Sequence, residues 1–150
     1  MAVTINGTTG ITLPTTAAPA FSAYQSSAQS PSGGTFTKVQ YQTKEFDTNN
    51  NFDSTTNYRF TPTVAGYYQI NGAVKYGNNG EVVLAIYKNG TAYKWGLDNL
   101  YGYASTVSCV MNFNGSTDYI ELYVYIGTGG SSTTAASTQT WFNGCMVRSA

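Results

Sequence analysis

From Phe36 onward, apolar and polar residues alternate with a period of two over most of the chain. In residues 66–77 (GYYQINGAVKYG), Tyr68, Ile70, Val74 and Tyr76 fall on one face, and Tyr67, Gln69, Asn71 and Lys75 on the other. Val82, Leu84 and Ile86 share a face before an Asn89-Gly90 turn, and Val107, Cys109, Met111 and Phe113 do so before Asn114-Gly115. In residues 118–130, Ile120, Leu122, Val124 and Ile126 oppose Tyr119, Glu121, Tyr123 and Tyr125. Strict alternation between Asn-Gly and Gly-rich breaks predicts half-buried strands, and no useful window has a 3.6-residue period. Many short strands of this kind predict an all-β sandwich.

The two ends of the chain depart from this pattern. The closing stretch, TWFNGCMVRSA, is apolar on both faces, with Trp141, Cys145 and Val147 on one and Phe142 and Met146 on the other. A sandwich strand needs only one apolar face for its own core, so a second subunit is expected to cover the other. Residues 1–35 contain no charged side chain. Val3 and Ile5, then Ile11 and Leu13, alternate with polar residues around Asn6-Gly7, which predicts a small hairpin. Pro14 and Pro19 interrupt regular structure, and residues 26–34 (SSAQSPSGG) have loop composition. We therefore divide the chain into an arm, residues 1–18, and a sandwich domain, residues 19–150.

Composition narrows the function. A chain of 150 residues suffices for one domain with a core, and 41% hydrophobic content argues against disorder. Seven basic and seven acidic side chains balance, and charged residues make up only 9%. Nucleic-acid binding needs clustered Lys and Arg, as does electrostatic membrane attachment, so neither partner is expected. No apolar run is long enough to span a bilayer, and the first residues lack the basic and apolar regions of a secretory signal. Folding in a cytoplasm is expected, which favours reduced, small buried cysteines at Cys109 and Cys145 over a disulfide.

Enzymatic chemistry finds little support. The chain has no His, which excludes Ser-His-Asp and Cys-His arrangements, and two Cys alone do not make a metal site. The carboxylates are Glu45, Asp47, Asp53, Glu81, Asp98, Asp118 and Glu121. Glu45 and Asp47 are expected to share one strand face, a geometry a glycosidase could use but one that a solvated face also produces. Residues 127–134 (GTGGSSTT) lack the Lys of a phosphate-binding loop and read as a strand connection. Asn6, Asn89 and Asn114 head sequons that read as turns, and no Asp-rich loop suggests calcium. We expect no enzyme, metal or cofactor. Tyr93, Trp95, Tyr101 and Tyr103, with Lys94, Asp98 and Asn99, form the one aromatic-polar cluster suited to a glycan. The competing interpretation is that these rings fill the sandwich and cover its rim.

YRFTPTVAGYYQI (residues 58–70) then resembles the central signature of the complement 1q-like globular domain, the jelly roll shared with the tumour-necrosis-factor family. Phe60 is followed by Pro62, then by Gly66-x-Tyr68-x-Ile70, with Ile70 where an aromatic is usual. Pro62 falls where a strand must end, Gly66 is expected to permit a tight turn into the next strand, and Tyr68 and Ile70 are expected to enter the core. PAFSAYQSS resembles the family's first strand, YKNGTAY its Lys-Asn-Gly hairpin and WFNGCMV its closing strand. Phe52 and Asn57 lie only near their usual places.

The resemblance implies a ten-stranded antiparallel jelly roll assembled as a homotrimer, with its first and last strands at the three-fold axis. It places Phe21, Tyr24, Trp141, Phe142 and Met146 at the subunit interface. The N-terminal VTINGTTGITLP is similar to short segments of phage tail-fibre and virion-surface proteins. Together these features predict a non-enzymatic virion protein made in the host cytoplasm: a compact capsid decoration, short fibre or knob, anchored to another capsid or tail protein through Val3, Ile5, Ile11 and Leu13. The alternative is a carbohydrate- or receptor-binding module that holds a host surface glycan on the aromatic cluster.

Overall fold

The computed structural model describes residues 4–6, 10–12, 18–127 and 132–150. Among these it contains strands and no helix. The strands are β1 (Thr4–Asn6), β2 (Gly10–Thr12), β3 (Ala20–Tyr24), β4 (Thr37–Lys38), β5 (Thr43–Asp47) and β6 (Phe52–Asp53). They continue with β7 (Arg59–Phe60), β8 (Gly66–Lys88), β9 (Thr91–Trp95), β10 (Asn99–Phe113), β11 (Ile120–Ile126) and β12 (Trp141–Ser149).

β1 and β2 form the expected hairpin, with Ile5 opposite Ile11. Gly7, Val3 and Leu13 lie outside the described residues, as does the centre of the 127–134 connection. The other ten strands make one antiparallel network folded over into two layers. The fold-over is in β8. Its first half pairs with β12 and β10, and its second half, Val82 to Lys88, pairs with β11 and β9. β10 follows the same bend, since Lys75 faces Ala104 while Gly80 faces Gly102 and Val82 faces Asn99. One layer therefore runs β5-β3-β12-β8-β10, and the other is built on β11 with β4, β7, β9 and the second half of β8.

The alternation read from the sequence sets the core. Tyr68, Ile70, Val74, Leu84, Ile86, Phe113, Ile120, Leu122, Val124 and Ile126 are all buried between the layers. Aromatic pairs lock one end: Phe21 stacks on Phe60 at 4.1 Å and meets Phe142 edge-on at 4.9 Å. The layers approach closely at Gly72, where a Cβ would overlap Leu122 from the facing sheet. Gly66 is constrained in a different way from the tight turn expected. It opens β8 directly beside the end of β12, and a Cβ there would collide with the Arg148 carbonyl. Asn89 and Gly90 both adopt positive φ (52° and 79°), as the turn between β8 and β9 requires. The Asn114 carboxamide accepts from the backbone N–H groups of Ser116, Thr117 and Asp118, closing the turn after β10.

Candidate functional site

Two surfaces stand out once the core is assigned. The first is the outward face of the β5-β3-β12-β8-β10 layer. Register places Ser22, Asn143, Asn71 and Ser108 in one row across four strands. Their side chains are linked: Asn71 Nδ2 donates to Asn143 Oδ1 at 3.0 Å, and the Ser108 hydroxyl donates to Asn71 Oδ1 at 2.8 Å. Gln69 Nε2 donates to Ser108 at 2.9 Å, and the Ser22 hydroxyl donates to Glu45 at 2.7 Å. Apolar groups flank this polar row. Tyr24, Trp141 and Ala73 align on one side, and Tyr67, Val110 and the bulged end of β12 lie on the other. Phe46, Tyr67, Val110 and Val147 are exposed, Phe46 by 52%. A shallow hollow of about 250 Å³ lies among Phe46, Ser22, Asn143 and Cys145.

This face corrects the interface expected from the sequence. Phe21 and Phe142, expected at the interface, are instead fully buried in the chain's own core. The parity of β3 and β12 turns these two rings inward against Phe52 and Tyr41. Tyr24 and Trp141 lie on the outward face and are half-buried, while Met146 packs partly against the core. Both cysteines are free, one on each side of the layer. Cys145 is exposed rather than buried as expected. Cys109 points inward, and burial pushes its thiol pKa up, opposed by the nearby Lys94 charge.

The second surface lies on the opposite layer and its β9–β10 edge. Leu97, Leu100 and Tyr103 are exposed along that edge, and Tyr93 is 44% exposed at a bulge in β9. The Tyr101 side chain lies outside the described residues. Trp95, 62% exposed, does not group with Tyr93 and Tyr103 as the linear cluster suggested. It meets Phe36 at 5.2 Å, and Phe36 in turn contacts Tyr125 at 5.4 Å and Tyr87 at 5.9 Å. Tyr87 stacks on Tyr123 at 4.1 Å. Ala85 stands between Trp95 and Tyr123 in the register and is fully buried despite facing outward. Phe36, Tyr87 and Tyr125 were absent from the predicted cluster. The signal for part of it was the run of tyrosines opposite the aliphatic face of β11.

Beside this row, Phe36, Val83, Trp95 and Tyr125 enclose a cleft of about 110 Å³ together with Glu81 and Asp98. The other five carboxylates are occupied elsewhere. Glu121 is buried against Lys38 at 2.7 Å, which leaves a paired rather than a lone charge among the rings. Burial, then the Glu121 charge, pushes the Tyr123 phenol up to about 12. Asp47 accepts from the backbone N–H groups of Asn51 and Phe52 and from Lys44. Asp53 caps residues 55–57, and its backbone hydrogen bonds from Thr56 and Thr55 hold the carboxyl well below the usual range. Asp118 is lowered by the Asn89 amide and by Lys88. Glu45 takes the Ser22 hydrogen bond.

Glu45 and Asp47 do not share a face, contrary to expectation. The register shifts opposite Glu45, so Asp47 aligns with inward-facing Phe21 while Glu45 reaches outward Ser22. A broad polar hollow of about 610 Å³ surrounds Asp53, Arg59 and Asn51, but its Asp53 and Asn51 are spent on holding loops. Among the described residues no group of three His, Cys, Asp or Glu could hold a metal ion.

No family model matches the chain, and no curated protein matches it in sequence. Its architecture does match solved structures. The globular domain of zebrafish complement 1qA superimposes with a TM-score of 0.66 at 17% identity, covering 88% of this chain and 99% of that one. Murine APRIL gives 0.66 at 10% identity, covering 87% and 99%. Eiger TNF from S. frugiperda gives 0.64 at 8% identity, covering 89% and 93%. The fold is a complement 1q/TNF-like jelly roll.

Proposed function

We propose that the chain is a non-enzymatic structural domain that closes into a homotrimer and is carried on a phage particle by its N-terminal arm. The observation that supports the trimer is the presence of two separate apolar patches on one small domain. One is the outward face bearing Tyr67, Val110, Phe46 and Trp141; the other is the β9–β10 edge bearing Leu97, Leu100 and Tyr103. Two different patches suit a head-to-tail contact that closes into a ring, whereas a two-fold dimer would bring one patch against itself. The low charge of the chain suits such burial. The polar row of Asn71, Asn143 and Ser108 lies within the first patch, already hydrogen-bonded, so covering it leaves few unpaired groups. Val110→Asp on the face and Leu100→Asp on the edge should each give a folded monomer. If either variant sediments with the parent mass, its patch is not in the contact.

The virion assignment is supported by the uncharged, apolar-patterned arm, whose VTINGTTGITLP resembles short segments of phage surface proteins. Its β1–β2 hairpin offers a strand edge for addition to a neighbouring protein. Mass spectrometry of purified particles tests it, and absence of the chain from the particle would refute it. The aromatic row on the outer layer supports a second reading, a module that binds a carbohydrate or receptor group. A glycan array, with Trp95→Ala as control, tests that one.

A further inference from the structure

We infer that the cleft formed by Phe36, Trp95 and Tyr125 with Glu81 and Asp98 binds a small organic cation, an alkylammonium head group of the choline type. The inference rests on the ligand-binding reading of the outer layer and narrows it to one chemistry. Of the seven carboxylates in the chain, five have a hydrogen-bond or ion-pair partner within the fold. The remaining two, Glu81 and Asp98, have none among the described residues, and both line the same cleft. They come from different strands and connections, Glu81 from the fold-over of β8 and Asp98 from the segment between β9 and β10.

The rest of the wall is apolar: two rings inclined at 54° and 48° to Phe36, and Val83. Among the described residues no Lys or Arg lines the cleft. Ring faces attract a cation through their quadrupoles, and carboxylates add a formal charge beside them. A neutral sugar would use the rings and donate hydroxyls to the carboxylates, but it would leave two formal charges uncompensated in one small cleft. An anion would be repelled. The size, about 110 Å³, admits a head group and not a sugar chain. The cation can be a free small molecule or the terminal group of a larger one, because the site reads only the head.

The test uses the full chain, both as the parent assembly and as the Leu100→Asp variant that leaves the β9–β10 edge beside Asp98 open, and three probes: choline, its neutral carbon isostere 3,3-dimethyl-1-butanol, and a panel of neutral oligosaccharides. Binding is followed by calorimetry and by the indole resonances of Trp95 and Trp141. Choline should bind saturably and shift the Trp95 resonance while leaving Trp141 in place. The isostere should bind at least about tenfold more weakly. Glu81→Gln with Asp98→Asn should weaken choline by a similar factor without moving the melting midpoint, since neither carboxylate supports the fold. Choline affinity should also fall as salt rises. Equal binding of choline and the isostere, or choline binding unchanged in the double variant, would overturn the inference. Oligosaccharide binding at Trp95 with no choline binding would overturn it too, and leave the ligand-binding reading standing. No saturable binding of any probe would remove both.

Discussion

Trp141 and Phe142 are adjacent in the chain, and their substitutions should have opposite consequences. Phe142 is fully buried, with its ring against Phe21, Tyr41 and Phe52. Phe142→Ala removes that ring from a packed core, and such a truncation costs about 3–5 kcal/mol. A domain of this size has only about 5–15 kcal/mol of stability in total. At about 2–4 °C per kcal/mol, the melting midpoint should fall by roughly 6–20 °C. Trp141 faces outward beside Tyr24 and Ala73 and is half-buried. Trp141→Asp should change the stability of an isolated subunit by only about 0.5–1 kcal/mol. In a trimer it would place an unpaired charge in each contact, at a cost of about 3–5 kcal/mol apiece. Thermal melts paired with light-scattering mass measurement separate the two effects. Phe142→Ala should be a less stable oligomer or an unfolded chain, and Trp141→Asp a folded monomer. A Phe142→Ala protein that melts within about 2 °C of the parent would refute the burial argument. A Trp141→Asp protein that remains trimeric would refute the placement of the contact face.

Three further outcomes follow from the same geometry. Tyr68 and Tyr123 are held neutral up to about 12, whereas tyrosine in an unfolded chain ionises near 10; their contribution to stability is fully present below about pH 10 and should be lost as pH rises towards 12, visible as phenolate absorbance that lags until the fold melts. Cys145 is exposed and Cys109 is partly buried with a raised thiol pKa, so in the native monomeric Trp141→Asp variant a maleimide should label Cys145 first and Cys109 only slowly; equal rates would contradict the parity assigned to β10 and β12. Deleting residues 2–13 should leave a folded assembly that no longer attaches to particles, and full occupancy by the truncated protein would move the contact onto the jelly roll.

Strand identity and core parity were legible wherever a strand has a single apolar face. β8, β10 and β11 each alternate cleanly, and their inward residues are those the alternation selects. β3 and β12 were harder because both of their faces carry apolar groups. Residue type alone does not say which face meets the opposite sheet; the register with Gly72 and Ile70 does, and it turns Phe142 and Phe21 inward. The bulge at Glu45 leaves no compositional trace, so alternation places Glu45 and Asp47, two residues apart, on the same face. The role of Gly66 was misjudged for a related reason, since the obstructing carbonyl of Arg148 comes from the far end of the chain. The aromatic cleft was half legible. Trp95 and Asp98 sit in an aromatic run that attracts notice, but Phe36, Glu81 and Tyr125 join them only through pairing between distant strands.

The central claim is that this jelly roll is one third of a closed ring, held by the outward face of the β5-β3-β12-β8-β10 layer against a neighbour's β9–β10 edge. Sedimentation equilibrium at micromolar concentration tests it most directly. The account predicts a single species of three times the 16.1 kDa chain mass, stable to dilution across that range. A species of the chain mass itself, folded and unchanged on concentration, would contradict it.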